Sequence, residues 1–173
     1  FFGYYAGLNA EHLLHAGYAD STIAGEFEPA LLALSLAVLS GELDLASPPP
    51  GVRTVEHVSD PLLRRIAFAP PRREGLPALE NYARLRSNGE LRPAGYTESS
   101  RGCKYVCRHC PVTPVYQGRF FVVPHDIVLG DIRVQVEAGA QHITFGDPDF
   151  LNGPGHAQRV VRSLHAEFPD LTF

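Results

Sequence analysis

Residues 95–111 read Gly95-Tyr96-Thr97-Glu98-Ser99-Ser100-Arg101-Gly102-Cys103-Lys104-Tyr105-Val106-Cys107-Arg108-His109-Cys110-Pro111, and the fold is read outward from them. Residues 96–101 suit a strand. All 3 cysteines of the chain follow it, spaced C-x3-C-x2-C. An odd, tightly clustered set is a poor disulfide framework and a good metal set, which favours a reducing cytoplasm. Thiolates are soft ligands that suit iron–sulfur clusters and zinc. A cubane cluster has four irons and usually meets four cysteines, so three thiolates leave one iron open to a small molecule.

The C-terminal side is regular. Residues 126–138 predict a helix with Val128, Ile132 and Val136 on one face, stopped by Gly139. Residues 141–145 predict a second strand, with Ile143 and Phe145 apolar. A loop rich in Gly, Pro, Asp and Asn spans 146–155. Residues 156–168 predict a second helix, with Ala157, Val160, Val161, Leu164 and Phe168 at helical spacing, and Leu171 opens a third strand. Strand–helix–strand–helix–strand implies right-handed crossovers and a parallel sheet or barrel. Active sites sit on loops at the C-terminal ends of such strands, where the cysteine loop and the 146–155 loop both fall.

The N-terminal side is less ordered. Residues 8–16 predict a helix, and residues 19–26 a short strand and turn. Pro29 suits the first turn of an apolar helix that runs to residue 39 and ends at Gly41. That helix is apolar on nearly all sides and is expected to be buried. Ser47-Pro48-Pro49-Pro50-Gly51 breaks regular structure. Pro61, Pro70, Pro71 and Pro77 then interrupt any long element, leaving a short strand at 65–69 and a short helix at 78–86. Three regions are expected: an α/β remnant at 1–46, a Pro-rich connecting segment at 47–93, and an incomplete α/β core at 94–173. The chain contains no Met, and Leu171-Thr172-Phe173 reads as a strand cut short, so a fragment of a longer protein is expected.

Composition narrows the function classes. Apolar residues make up 45% and charged residues 20%, ordinary for a soluble globular protein. No apolar run approaches the ~20 residues of a membrane span, and no signal-peptide pattern follows Phe1. Residues 1–52 carry six acids and no Lys or Arg, residues 53–119 twelve bases against six acids, and residues 120–173 three against seven. The basic middle could meet an anionic substrate or cofactor, but it lacks aromatic interleaving and reads better as a solvated linker. Nucleic acid is not implied.

With these motifs in place, the chain resembles the radical S-adenosylmethionine (SAM) superfamily, whose signature is this C-x3-C-x2-C on the loop after the first barrel strand. The resemblance implies an α/β fold: the N-terminal half of a partial (β/α) barrel, preceded by a remnant of a cobalamin-binding-like α/β domain. It implies that Cys103, Cys107 and Cys110 ligate a [4Fe-4S] cluster whose open iron is chelated by SAM. His109, where the family usually has an aromatic residue, would lie near adenine. Gly146-Asp147-Pro148-Asp149-Phe150 stands where the family has a Gly-Gly-Glu-like motif for the SAM amino group, making Gly146, Asp147 and Asp149 the candidates. The other reading of Asp-Pro-Asp is a turn that caps the next helix.

Arg101-Gly102-Cys103-Lys104, Cys107-Arg108-His109-Cys110-Pro111 and residues 146–154 narrow the resemblance. They look like the radical SAM proteins named for a CUAEP or CCAEP tail, some of which carry selenocysteine. Residues 1–45 look like the end of a cobalamin-binding-type domain, although no Asp-x-His-x-x-Gly motif is present to supply a histidine cobalt ligand. Cobalamin is therefore an expectation for an intact parent only. Its substrate, a small molecule or a peptide, is not legible here. A partner such as flavodoxin or ferredoxin would supply the electron, and the fragment alone is expected to be inactive.

Plainer readings compete. A Cys3His zinc site recruiting His109 or His125, in a non-catalytic metal-binding module, meets the awkward adjacency of His109 and Cys110. A thiol oxidoreductase built on Cys107-Arg108-His109-Cys110 should open a helix, yet Pro111 and Pro114 follow and no helical period is visible before Asp126. Haem attachment fails because Pro111, not His, follows Cys110. His12, His15, His57, His142, His156 and His165 show no ligand spacing and read as surface or satisfied core residues. Tyr116, Arg119 and Phe120 either shape the site or pack the loop, and Arg72 and Arg73 either meet a phosphate or belong to the linker.

Overall fold

The computed structural model describes residues 1–173. The chain divides into two compact units. One comprises Phe1–Ile66 with Cys103–Arg119, the other Ala67–Gly102 with Phe120–Phe173. The connecting segment is thus shared between the two, and the cysteines group with the N-terminal residues.

The second unit holds the regular α/β structure. β3 (Arg84–Ser87) and β4 (Glu90–Thr97) form a hairpin, with Ser87 opposite Glu90. Its two-residue turn is Asn88-Gly89, both at positive φ (50° and 85°), the left-handed pair that matches strand twist. That dipeptide is the sequence signal for a hairpin in a stretch expected to be irregular. The helix expected at 78–86 is a single 3-10 turn, Leu79–Asn81, followed by β3. The strand expected at 65–69 is absent. Phe68 there packs against the core and under the Arg101 guanidinium, 5.1 Å from its ring centre.

β4 then pairs in parallel with β7 (His142–Phe145), Gly95 opposite Ile143 and Thr97 opposite Phe145. α5 (His125–Glu137) makes the crossover, and α6 (Pro154–Glu167) leads to a parallel bridge between His142 and Thr172. The expected alternation therefore holds through β7 and α6, in a mixed α/β fold of small sheets, while the third expected strand is that single bridge. The first expected strand is displaced: β4 ends at Thr97, and β5 (Ser100–Gly102) is a separate strand paired antiparallel with β6 (Phe120–Val122). Val123, Val128, Ile132, Ala140, Ile143, Val160 and Leu164 form the core.

In the first unit the expected helix at 8–16 is two short ones, α1 (Tyr4–Leu8) and α2 (Ala10–His15), broken at Asn9. β1 (Thr22–Ile23) pairs antiparallel with β2 (Val52–Arg53), and Phe2 bridges Ile23 in parallel. α3 (Glu28–Ser40) ends at Gly41 with φ 73°, as its sequence predicts. Its expected burial does not hold. Ala30 alone is buried, packed with Leu31 and Leu34 against Ile23 and Val52, while Leu39 is 83% exposed. A helix apolar all round gives periodicity no face to choose, and here a single stripe is covered. No helix of the chain is long and apolar enough to cross a membrane.

α4 (Thr113–Tyr116), in the same unit, is a helix that the sequence does not predict. Pro114 stands in its first turn, where proline needs no hydrogen bond and its fixed φ suits the helix.

Candidate functional site

The cysteine segment joins β5 to β6. Gly102 and Phe120 pair across that ladder, so residues 103–119 leave and re-enter the sheet at neighbouring points. The three cysteines form no disulfide: Cys107 is exposed, and Cys103 and Cys110 are half-buried. A turn brings the last two together, the Cys110 amide donating to the Cys107 carbonyl at 3.2 Å. Thr113, opening α4, closes the turn from the far side. Its amide donates to the Cys110 carbonyl (3.3 Å) and its hydroxyl to the Cys107 carbonyl (3.1 Å). His109 is exposed on this turn.

No three His, Cys, Asp or Glu side chains are grouped to hold one metal ion. A zinc site needs all its ligands at roughly 2.0–2.3 Å from one centre. A cubane spreads its thiolates over separate irons. The donor set, three sulfurs and no fourth protein ligand in the motif, fits a cluster with one open iron by its chemistry.

The end of the segment is firmly packed. Tyr116 is 2% exposed, and its hydroxyl donates to Glu26 Oε1 at 2.8 Å. Glu26 is 0% exposed, and its backbone amide donates to the Leu62 carbonyl at 2.8 Å. Burial, with Tyr4 and Glu26 alongside, pushes the Tyr116 phenol far above its ordinary range. Arg119 donates to the Leu63 carbonyl at 2.6 Å. Tyr116 and Arg119 thus both make packing contacts at the end of this segment, and neither reaches the cysteine turn directly. Phe120 belongs to the second unit, where it lies against Gly153, 3.2 Å from where a Cβ would stand.

The 146–149 loop follows β7 in the second unit. The Gly146 amide continues the ladder to the Thr97 carbonyl at 2.8 Å. A Cβ at Gly146 would overlap the phenol of Tyr96, so the residue type is set by close approach. Asp147 accepts the Ser99 amide (3.0 Å) on Oδ2 and the Ser99 hydroxyl (2.8 Å) on Oδ1, which also accepts the Ser100 hydroxyl. It clamps this loop to Ser99 and to the start of β5. Asp149 accepts the Leu151 amide (3.0 Å) and the Asn152 side-chain amide (2.6 Å), capping the 3-10 turn Phe150–Asn152. Asp149 thus forms a capping turn, but on this 3-10 turn and not on the next helix as expected, since the N-cap of α6, Gly153, has no side-chain bond. Both carboxylates carry structural bonds.

Three further groups surround this loop without a legible sequence signal. Buried His156 on α6 places Nε2 3.1 Å from the Ser99 carbonyl, and burial lowers its pKa. The Tyr96 phenol is raised by burial and by Glu98 and Asp147. It also lines a cavity of about 880 Å³ walled by Pro70–Ala83, Val134 and Thr144. Beneath it, Gln135 grips the Tyr96 backbone, accepting the amide at 2.8 Å and donating to the carbonyl at 3.1 Å. Gly95 permits that approach, since a Cβ there would stand 2.6 Å from Gln135 Oε1.

Arg73, read as a phosphate contact or linker residue, instead makes a two-pronged pair with buried Asp131 (2.7 and 2.9 Å) and donates to the Tyr96 carbonyl at 3.0 Å. Arg72 pairs with Glu74 at the surface.

No protein-family model matches the chain, and no curated protein matches its sequence. Among the solved structures that share its fold are two of TsrM from Kitasatospora setae, a radical S-adenosylmethionine methyltransferase. One, with tryptophan substrate and the SAM analogue aza-SAM bound, has a TM-score of 0.74 at 21% identity. The other, with cobalamin and a [4Fe-4S] cluster bound, has a TM-score of 0.69 at 20% identity. Each match covers 98% of this chain and 34% of TsrM, so the chain spans about a third of that protein's length.

Proposed function

We propose that this chain carries the iron–sulfur site of a radical SAM enzyme, with Cys103, Cys107 and Cys110 holding a [4Fe-4S] cluster. The observation that carries the reading is the C-x3-C-x2-C segment, set after the first parallel strand of a fold shared with TsrM along nearly the whole chain. In this reading the fold is the first half of a partial (β/α) barrel, and residues 1–46 are the end of a cobalamin-binding-like domain. When bound, the cluster supplies the electron that splits the SAM sulfonium into methionine and a 5′-deoxyadenosyl radical. His109, exposed on the cysteine turn, would lie near adenine. Gly146 keeps the loop after β7 clear of side chain, and Asp147 or Asp149 offers a remaining carboxylate lone pair to the SAM ammonium.

An intact parent of this kind draws its electron from a flavodoxin- or ferredoxin-like donor, and cobalamin is a further cofactor there. Its substrate is a small molecule or peptide, for which the cavity beside Tyr96 has the usual volume of a ligand site. The narrower kinship with CUAEP- or CCAEP-tail proteins and a cytoplasmic location belong to the same reading.

Anaerobic reconstitution with iron and sulfide tests it. About four irons and four sulfides per chain are expected, with a spectrum that changes on adding SAM and is lost in Cys103→Ser, Cys107→Ser and Cys110→Ser. One tightly held zinc with no sulfide would replace this reading with a non-catalytic metal-binding module.

A further inference from the structure

α4 connects the cysteine turn to a buried polar pair. At its start, Thr113 binds the carbonyls of Cys107 and Cys110. At its end, Tyr116 gives its hydroxyl to Glu26, both side chains are almost wholly shielded from water, and Tyr4 meets the Tyr116 ring edge-on at 5.5 Å and 90°. Glu26 is itself fixed. Its amide is bound to the Leu62 carbonyl, and a Cβ on neighbouring Gly25 would stand 2.5 Å from that same oxygen. Arg119 grips the next carbonyl, that of Leu63.

Burying a carboxylate against a phenol is a costly way to pack a four-residue helix, and two apolar side chains would fill the space at less cost. What a hydrogen bond adds is direction. It fixes the azimuth and height of α4, and through Thr113 the separation of the Cys107 and Cys110 carbonyls.

We propose that Glu26 and Tyr116 are positioning residues for the cysteine turn, so that a residue from the N-terminal region controls how the Cys107 and Cys110 thiolates are presented to the cluster. This inference rests on the iron–sulfur reading above. The pair touches neither iron nor SAM and acts through α4.

The test compares the wild-type chain with Tyr116→Phe, Glu26→Leu and a control, Tyr5→Phe, which removes an exposed phenol from α1. Each reconstituted protein is challenged with an iron chelator, and cluster loss is followed by its visible absorbance. Tyr116→Phe and Glu26→Leu are expected to lose the cluster about tenfold faster than wild type, the effect typical of outer partners of metal ligands, while Tyr5→Phe matches wild type. In the cluster-free proteins, maleimide labelling of Cys110 is expected to quicken severalfold in the same two variants. Circular dichroism confirms that each retains its secondary structure.

Unchanged chelator and labelling rates in folded Tyr116→Phe overturn the positioning role. If wild type takes up no iron and sulfide, the functional reading falls, and the labelling rates still decide the positioning role by themselves.

Discussion

The tie between Arg73 and Asp131 offers the sharpest test of how the second unit is held together. Asp131 is 2% exposed and receives both prongs of the Arg73 guanidinium, while Arg73 is 29% exposed. Replacing Arg73 by Met keeps the apolar stem and removes the charge. Asp131 then retains, of its side-chain donors, only Gln135 Nε2 at 3.0 Å. Removing one partner of a buried pair costs about 3–5 kcal/mol, and the partial exposure of Arg73 admits some water, so about 3 kcal/mol is expected. Asp131→Leu leaves an arginine that can turn to solvent and costs about 1–2 kcal/mol. The double variant orphans nothing and should cost no more than that single change, giving a coupling of about 3 kcal/mol. Urea unfolding followed by circular dichroism reads this out. With a slope of about 2 kcal/mol per molar, Arg73→Met should lower the midpoint by about 1.5 M and the double variant by no more than about 1 M. A midpoint for Arg73→Met within about 0.2 M of wild type, or strictly additive single and double variants, would refute the reasoning.

Three further outcomes are expected. Ser99→Ala with Ser100→Ala strips two of three donors from Asp147 and should cost about 3 kcal/mol, seen as a fall in Tm of about 9 °C; an unchanged Tm would remove the clamp from the account. Gly146→Ala should displace the Tyr96 ring and lower stability in the wild-type background, yet be nearly neutral in a Tyr96→Ala background; equal costs in both would show that the ring is not what constrains Gly146. His156 has a folded pKa lowered first by burial, with Arg159 and His125 adding repulsion and the Ser99 carbonyl and Asp147 opposing. Its unfolded value is about 6.5, so between the two values the unfolded chain binds more protons and stability falls as pH drops below about 6.5. His156→Gln, which retains an amide donor for the Ser99 carbonyl, should flatten part of that fall in pH-dependent urea midpoints, leaving the contribution of His142, also lowered chiefly by burial; an unflattened profile would exclude His156 as its source.

Read alone, the residues determined the alternation of the C-terminal half and singled out the cysteine segment. Val128, Ile132 and Val136 repeat at helical spacing, Gly139 stops the helix, and 141–145 alternates, because those patterns are local consequences of which face is buried. The C-x3-C-x2-C spacing is likewise local, since a tight loop brings its own thiols into one neighbourhood. The β3–β4 hairpin was legible in Asn88-Gly89 but masked by the prolines on its N-terminal side.

Other features depend on neighbours distant in sequence. α3 is apolar on every side, so only the packing decides which stripe is covered. Glu26 and Tyr116 stand ninety residues apart and Arg73 and Asp131 fifty-eight, and no spacing rule predicts that either pair will meet. The roles of Asp147 and Asp149 divide for the same reason. Asp149 caps its own turn, a contact within three residues that the Asp-Pro-Asp pattern announces. Asp147 reaches Ser99 and Ser100, which the parallel pairing of β4 with β7 alone brings within hydrogen-bond distance.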